Sequence, residues 1–349
     1  MSSPDHLLTS FAIQARACEA WGSAMYSELL DRIGADIVAE GIFARVLAGH
    51  EKDPGPSALA LRLLGGLHRL VLDGRGSQLR RWYPSVGGHW EAGAAWPDIL
   101  DAAHVHTRAL RLALDQAPQT NEVGRSAALA GALLQLTARY RFPVRLFEIG
   151  ASAGLNLCAD RYLYVFRGGQ WGREDSPVVI DNAWRGRMPS QHEVAIIERT
   201  GYDIAPIDAT SEDGELTLLS YVWPDMTARL RRLRGAINVA RATPASVHRR
   251  TAGQAVAGIR LRPGTLTVLW HSVMWQYLTA DERTAIQHGI DALAAQADAT
   301  SPFAHVCMEP QRRKSGSPRE FLVRSRSWPG GRDVILARCQ PHGPPVTWE

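Results

Sequence analysis

Hydrophobic residues recur every three or four positions along most of the first 140 residues. The run AIQARACEAWGSAMYSELLDRIGADIVAEGIFARVLAG predicts helices that are interrupted at Gly22 and Gly34. SALALRLLGGLHRLVL, WPDILDAAHVHTRALRLAL and VGRSAALAGALLQLTARY predict further amphipathic helices, and strand signals are absent. The pattern therefore predicts a helical bundle or cap domain over residues 1–141.

The pattern changes after Pro143, where short apolar runs alternate with helical segments. VRLFEI leads directly into a glycine-rich loop, and four more runs predict strands: VAIIER, SVHRRT, LTVLW and FAHVCMEP. DERTAIQHGIDALAAQA predicts a helix between the last two, and RDVILARC with PVTW predicts a terminal pair of strands. We therefore expect a mostly parallel α/β sheet over residues 142–349, with an inserted hairpin or loop near residues 162–190.

Composition and charge exclude several classes of function. The chain has 349 residues, 45% hydrophobic, and its four cysteines form no CxxC pair, so we expect neither a disulfide framework nor a zinc site. Of the 39 basic residues only Lys52 and Lys314 are lysines, and this excess of arginine indicates codon bias. The net charge of only +4 does not favour a nucleic-acid-binding surface. We find no secretory leader and no apolar run of about 20 residues. A cytoplasmic protein outside the membrane, with a small-molecule substrate and no nucleic-acid partner, is the expectation.

EIGASAG, residues 148–154, fits two known loop patterns. As G-x-S-x-G it predicts a hydrolase elbow with Ser152 as nucleophile, followed by Asp208 or Asp225 and then by His271 or His342. Acidic and histidine residues follow nearly any serine, however, and an elbow normally follows several strands of the sheet. Here the preceding segment is predicted to be helical, which disfavours the hydrolase.

As E-x-G-x-S-x-G, the same segment predicts the first loop of a nucleotide-type Rossmann fold. Gly150, Ser152 and Gly154 would turn the chain tightly from strand to helix and direct backbone N–H groups at a ligand. Glu148 lies where methyltransferases that use S-adenosylmethionine carry an acidic residue for the cationic amino-acid end of that cofactor. Asn156, just after the loop, completes the predicted cofactor-binding residues of this segment. The spacing disfavours NAD(P), whose fingerprint is G-x-G-x-x-G.

A second acidic residue should bind the ribose hydroxyls at the end of the next strand. Asp203 in GYDIAPID is the candidate, although it lies much further from Glu148 than the ~20 residues usual for this step. The insertion near residues 162–190 accounts for the excess. Asp181 in VVIDNAW is the alternative, and a turn before Pro206 would explain Asp203 without any ligand.

His271 and Glu309 follow the fourth and fifth predicted strands, at the edge where such folds place the substrate mouth. An imidazole titrates near neutral pH, so His271 is a candidate general base for an N–H or O–H group. The alternative is that His271 only caps its strand and the next helix. For Glu309 the same two roles, catalytic and structural, remain open. His104 and His106 cannot share a helix face, and no metal site is predicted.

Five segments carry a resemblance to a known family: QTNEVGR, EIGASAGLNL, YVWPD, VLWHSVMWQYL and HGPPVTW. Together they resemble an uncharacterised bacterial family, domain of unknown function 2332, over nearly the whole chain. The resemblance implies a helical N-terminal part and a methyltransferase-like C-terminal fold, with no established reaction. Ser152 departs from the common methyltransferase loop, which has glycine there. The expected fold class is thus α/β, a helical N-terminal domain followed by a methyltransferase-like Rossmann sheet.

QTNEVGR, residues 119–125, is strongly polar and precedes a helix of Ala and Leu. Asn121 as N-cap with Glu122 in the first turn would suit the helix dipole, but this leaves Gln119 and Arg125 unexplained. We expect the segment to reach the mouth of the second domain. Asn121, Glu122 and Arg125, together with Tyr277, are therefore the predicted substrate-binding residues.

Three hypotheses for function follow. The first is a methyltransferase that uses S-adenosylmethionine and acts on a small-molecule acceptor. The second is a non-catalytic binding or scaffold protein that retains the fold. The third is a serine hydrolase that acts through Ser152.

Overall fold

The computed structural model describes residues 3–53 and 57–349, and they form two compact units. Of the described residues, the first unit comprises 3–53, 57–120 and 211–231, and the second comprises 121–210 and 232–349. This division differs from the predicted boundary at residues 141/142. The helix at residues 126–140 belongs to the second unit because it packs on that unit's sheet, as described below.

The α-helices are, in chain order, α1 (Ser3–Ala20), α2 (Ala24–Val38), α3 (Ile42–Val46), α4 (Leu59–Leu72), α5 (Ala92–Val105), α6 (Thr107–Leu114), α7 (Ser126–Tyr140), α8 (Glu212–Ser220), α9 (Thr227–Ala242), α10 (Ala252–Gly258) and α11 (Ala280–Gln296). Short 3-10 helices occupy Ser77–Trp82, Pro84–Val86, Val123–Arg125, Leu155–Arg161 and Trp275–Tyr277. Gly22 separates α1 from α2 as predicted, whereas the predicted break at Gly34 is wrong. Gly34 lies inside α2, where a glycine weakens a helix without ending it.

The regular elements of the first unit are all helices within its described residues, in agreement with the sequence pattern. Residues 211–231 belong to it through specific bonds as well as apolar packing. Asp225 accepts from Ser23 Oγ at 2.7 Å and from the backbone N–H of Met25 at 3.1 Å. The carbonyl of Ser220 lies 3.1 Å from His68 Nδ1.

The strands are β1 (Val144–Ile149), β2 (Leu163–Phe166), β3 (Gly169–Gly172), β4 (Val179–Ile180), β5 (Trp184–Gly186), β6 (Ile196–Asp203), β7 (Ser246–Arg249), β8 (Leu266–Ser272), β9 (Phe303–Arg312), β10 (Arg319–Trp328), β11 (Arg332–Gln340) and β12 (Gly343–Trp348). Nine of them form one sheet in the order β5-β12-β11-β10-β9-β8-β1-β6-β7. The pairs from β7 to β9 are parallel, and β9 to β12 form an antiparallel meander. The predicted fold class, a helical N-terminal region followed by a mostly parallel α/β sheet, is confirmed.

The segment between β1 and β6 interrupts the alternation of strands and helices, at the place where the sequence predicts an insertion. β3, β2 and β4 form a small separate sheet there. β5 instead joins the main sheet, since it pairs in parallel with β12, with Trp184 opposite Val346. The insertion therefore supplies one outer strand of the main sheet.

Consecutive residues of the central strands face opposite sides of the sheet. Phe147, Ile149 and Leu269 pack with α10 and α11 in one apolar core. Their strand neighbours Glu148 and Trp270 therefore point to the other side.

α7 also packs on the sheet. Its Ala127 carbonyl accepts from the indole of Trp184 at 2.8 Å, and Gly131 leaves room for the ring of Trp348. Within the described residues, no helix is both long enough and apolar enough to cross a bilayer.

Candidate functional site

The loop after β1 turns tightly because alternate residues adopt the left-handed conformation. Gly150, Ser152 and Gly154 have φ values of +67°, +52° and +71°. Glycine adopts this region freely, whereas serine does so at some cost. The loop leads into the 3-10 helix Leu155–Arg161, which is irregular at Cys158, and not into the expected α-helix. The loop therefore does not lie at the N-terminus of an α-helix, and the expected α-helix dipole does not act on a ligand there.

Most backbone N–H groups of the loop donate to the protein itself, contrary to the expectation that they face a ligand. The N–H of Ser152 donates to Asp203 Oδ2 at 2.8 Å, and the N–H of Ala205 donates to Asp203 Oδ1 at 2.9 Å. Gly154 donates to the carbonyl of Ala151 at 2.8 Å. Asp203 thus fixes the loop, and each carboxylate oxygen keeps a second lone pair that a ribose hydroxyl would need.

Glu148 is the most unusual group of the loop region. It is 2% exposed, and burial raises the pKa of its carboxyl to about 8. Asn156, Trp270 and Arg125 act in the opposite direction and lower that pKa, while the charge of Asp203 raises it. Asn156 and Trp270 lie near the carboxyl, yet Glu148 Oε2, Asn156 Oδ1 and Trp270 Nε1 have no hydrogen-bond partner of good geometry within the described residues. Buried polar atoms without partners are rare and point to a missing ligand or water.

The QTNEVGR segment does reach this region. Asn121 Oδ1 accepts from the N–H of Leu155 at 2.8 Å and so fixes the end of the glycine loop. Glu122 is the N-cap of the 3-10 helix Val123–Arg125, and its carboxyl accepts from the N–H of Gly124 at 3.0 Å.

Arg125 bridges two loops on this side of the second unit. Its guanidinium donates to the carbonyls of Pro341 at 3.1 Å and Ser272 at 3.4 Å. The structure therefore brings Asn121 and Arg125 to the loop and to the end of β8. Tyr277 is 65% exposed, and its side chain takes part in no described hydrogen bond.

The segment after β8 separates the glycine loop from a second group of polar residues. Val273 has φ +52°, which is unusual for a β-branched residue. A Cβ on Gly150 would lie 3.0 Å from the side chain of Met274, so that side chain covers the loop. The next residue, Trp275, stacks on the ring of His271 at a centroid distance of 5.3 Å.

His271 and Glu309, which the sequence singled out separately, are in contact. His271 Nδ1 lies 2.8 Å from Glu309 Oε1. The same oxygen accepts from the backbone N–H groups of Met274 at 3.0 Å and Trp275 at 3.3 Å. On its other side, His271 Nε2 lies 3.0 Å from Nε2 of His305. The three side chains form a continuous carboxyl–imidazole–imidazole chain.

A cavity of about 630 Å³ opens at this chain. His271, His305 and Glu309 line it together with Cys307, Arg283, Arg319, Arg324, Arg326 and Asp333. Burial raises the pKa of the Cys307 thiol to about 12, so the thiol stays protonated. Burial, with charges on His271, Arg326 and Arg324, lowers the pKa of His305 well below its ordinary value. His305 is therefore a neutral imidazole near pH 7. No group of three or more His, Cys, Asp or Glu side chains suited to a metal ion occurs within the described residues.

His305 is not among the predicted site residues, although the sequence carries a signal for it. In FAHVCME, the residues His305, Cys307 and Glu309 alternate with apolar residues, and this spacing places them on one face of a strand. The arginines of β10 were missed because that strand was not predicted. Trp270 was not predicted because its sequence context, LTVLW, is that of an ordinary core residue in an apolar strand.

The residues that a hydrolase would need around Ser152 have other partners. Both ring nitrogens of His271 contact Glu309 and His305. His342 Nδ1 lies 3.5 Å from Glu122 Oε2. Asp225 belongs to the first unit, where it binds the start of α2.

Comparison with known proteins identifies a family but no individual relative. A family model described as an uncharacterised protein conserved in bacteria, domain of unknown function 2332, matches residues 9–348. No curated protein and no solved structure matches the chain.

Proposed function

The chain belongs to the bacterial family of domain of unknown function 2332, and for this member we propose methyl transfer from S-adenosylmethionine to a small acceptor. The observation that carries the proposal is the buried carboxyl of Glu148 near the end of β1, whose raised pKa a bound cation would lower. A carboxyl whose pKa is raised to about 8 by burial becomes a stable anion once a cation lies beside it. The amino-acid end of S-adenosylmethionine supplies such a cation.

The three unpartnered atoms suit a zwitterionic amino acid. Glu148 Oε2 and Asn156 Oδ1 are acceptors for an ammonium group. The indole N–H of Trp270 is a donor for a carboxylate, and the positive charge of Arg125 favours the same group. These residues fit the cofactor's amino-acid end, and Glu148 with Asn156 would hold its nitrogen.

Topology supports the same location. The five parallel strands follow one another across the sheet as third, second, first, fourth and fifth in chain order. In sheets of this kind, ligands bind outside the carboxyl ends of the strands where the order reverses, which here is between β1 and β8. A cavity of about 260 Å³ beside Gly154, lined by Ile207 and Val247 among others, offers apolar surface for a nucleoside.

The bound cofactor would supply an electrophilic methyl group. The protein's own contribution is then to hold and align two molecules, a matter of positioning more than of covalent chemistry. Glu148 and Arg125 orient one molecule, and Asp203 keeps the loop in place. A proton that leaves an O–H or N–H group would reach His271 and Glu309 through His305, because both ring nitrogens of His271 already have partners.

Isothermal titration calorimetry with S-adenosylmethionine and with S-adenosylhomocysteine tests the proposal. The wild type is expected to bind both, and Glu148→Gln is expected to weaken binding about ten- to a hundredfold, since a charge-assisted hydrogen bond is lost. Glu193→Gln is the matched control because that carboxyl is exposed and has no described partner. Absence of binding at millimolar ligand, or equal binding by both variants, would refute the assignment.

A binding protein without turnover is the second candidate. The loop amides already used within the protein and the Met274 side chain over Gly150 favour it. Binding of S-adenosylmethionine without its conversion to S-adenosylhomocysteine, across a panel of small acceptors, would support this candidate over the enzyme.

A further inference from the structure

The cavity at β8, β9 and β10 is a built site on one face of the sheet. His271 lies opposite Cys307 in the parallel pair β8–β9, and Arg326 lies opposite His305 in the antiparallel pair β9–β10. Arg324 lies opposite Cys307 in the same pairing. Neighbouring strands therefore bring imidazole and guanidinium groups together by register.

The charges of the cavity are unbalanced in favour of cations. Arg324 is neutralised by Asp333, with nitrogen to oxygen distances of 2.7 and 2.8 Å. Arg283, Arg319 and Arg326 have no carboxylate within 4.0 Å among the described residues. Arg283 instead donates from Nε to the carbonyl of Trp275 at 3.2 Å, which holds its guanidinium in place.

Hydrogen bonding orients the carboxyl–imidazole end of the chain. Glu309 Oε1 already accepts two backbone N–H groups, so it acts as an acceptor and His271 Nδ1 carries the proton. The proton path proposed below requires the arrangement in which His305 Nε2 donates to His271 Nε2 across the 3.0 Å between them. His305 Nδ1 is left with a free lone pair and has no described partner, on a residue that lines the cavity.

We infer that this cavity binds a small organic anion through Arg283, Arg319 and Arg326, and that His305 Nδ1 removes a proton from an O–H or N–H group of that anion. The ligand's anionic group is a carboxylate or a phosphate, because planar guanidinium groups bind both in bidentate fashion. The inference goes beyond the proposed function, since neither the anion site nor the proton path needs the cofactor.

His305 gains one proton and loses another along this path, so it carries no net charge at the end. As Nδ1 of His305 takes the ligand's proton, its Nε2 proton passes to Nε2 of His271. His271 becomes an imidazolium directly beside Glu309, 2.8 Å away. The positive charge thus rests on the imidazole that has a carboxylate partner, and not on the one surrounded by arginines. His305 is the catalytic residue of this step, and His271 and Glu309 position and charge-balance it.

Calorimetric titration of the cofactor-free protein with citrate and with pyrophosphate tests the anion site. We expect at least one of them to bind at millimolar concentration, citrate alone indicating a carboxylate ligand and pyrophosphate alone a phosphate ligand. Arg326→Met is expected to weaken binding about tenfold, as for one charge-assisted contact. Arg332→Met removes the same charge from an exposed position outside the cavity and is expected to change affinity less than about twofold.

Absence of binding by both anions, or equal weakening by the two variants, would overturn the anion site. Neither result bears on S-adenosylmethionine binding by Glu148, so the two assignments fail separately.

Nitrogen-15 NMR of histidine-labelled wild-type protein tests the proton path. We expect the Nδ1–H tautomer for His271 and the Nε2–H tautomer for His305 near pH 7, assigned with the His305→Gln variant. The anion that binds is expected to shift the Nδ1 resonance of His305. An Nε2–H tautomer for His271, a charged His305, or no shift on saturation with the anion would overturn the inference.

Discussion

Replacement of Glu148 by glutamine is expected to change how the stability of the second unit depends on pH. Glutamine has the shape of a protonated carboxyl and cannot ionise. Glu148 is buried in β1, and its pKa rises from the ordinary 4.5 to about 8 in the folded protein. The folded state therefore keeps a proton that the unfolded chain loses.

The sign and size of the effect follow from this difference in proton binding. Below about pH 4.5 both states carry the proton, and the neutral carboxyl costs no stability. Between about pH 4.5 and about pH 8 only the unfolded state loses it, so wild-type stability falls as pH rises. Each tenfold difference in proton affinity is worth about 1.4 kcal/mol, so the full loss is at most about 5 kcal/mol. Glu148→Gln is expected to remove this slope.

Native-state hydrogen exchange, measured by mass spectrometry on the peptide that contains β1, reports the opening of the second unit alone. At about pH 5 the variant and the wild type are expected to have similar free energies of opening. At about pH 8 the variant is expected to be more stable by several kcal/mol. Glu193→Gln is expected to follow the wild type at both values. A variant that is equally destabilised at both pH values would refute the assignment of a neutral, buried carboxyl.

Three other predictions concern the second unit, and one of them has its control in α2 of the first unit. Binding of S-adenosylmethionine is expected to ionise Glu148, whose pKa is about 8 in the free protein, and so to release about 0.9 proton near pH 7. Calorimetry in two buffers of different ionisation enthalpy measures this release, and binding without proton release would contradict the ionisation of Glu148. Gly131→Ala is expected to destabilise the protein by about 1–3 kcal/mol in chemical denaturation because a Cβ would overlap the ring of Trp348. Gly34→Ala, in open space within α2, is the matched control and should stabilise by about 0.5–1 kcal/mol. Val273→Gly should leave thermal stability unchanged or raise it by about 1 kcal/mol, since glycine adopts φ +52° without strain, and a large loss would contradict this.

The fold class followed from hydrophobic periodicity, but two elements did not. The 3-10 helix Leu155–Arg161 was predicted as an α-helix, since its sequence has helical spacing. In the structure its carbonyls are taken by side chains: Tyr162 donates to Leu155 at 2.5 Å and Tyr164 to Ala159 at 2.6 Å. Arg199 donates to the carbonyl of Leu157 at 2.6 Å. Tyr164 and Arg199 come from β2 and β6 and Tyr162 immediately precedes β2, and a local pattern does not reveal such donors.

β10 escaped prediction because residues 324–327 are polar on both faces. Arg324 and Arg326 point towards the cavity, and Ser325 and Ser327 occupy the other face, where Arg139 of α7 approaches Ser327 at 3.5 Å. A segment with arginines on one side and serines on the other has no alternation of apolar and polar residues. The same polarity that hid the strand makes its cavity positively charged.

The contacts of the candidate site could be predicted where they depend on local sequence and not where they depend on the register between strands. Glu148 follows from the loop pattern alone, and its burial agrees with the role proposed for it. His271 and Glu309 were each identified as an end-of-strand residue, but their contact depends on how β8 pairs with β9. His305 joins them only through that pairing, and an isolated histidine in a strand is ordinarily part of a core.

The pairing of β5 with β12 constrains the order in which the chain can acquire its structure. β5 lies in the insertion after the first strand of the sheet, whereas β12 is its last strand in sequence. Residues 211–231, which belong to the first unit, lie between them in the chain. During synthesis, β5 therefore cannot pair with β12 until residues 343–348 have left the ribosome. Contacts between residues so far apart in sequence form slowly. A chain truncated before β12 would therefore leave β5 without its partner in the main sheet.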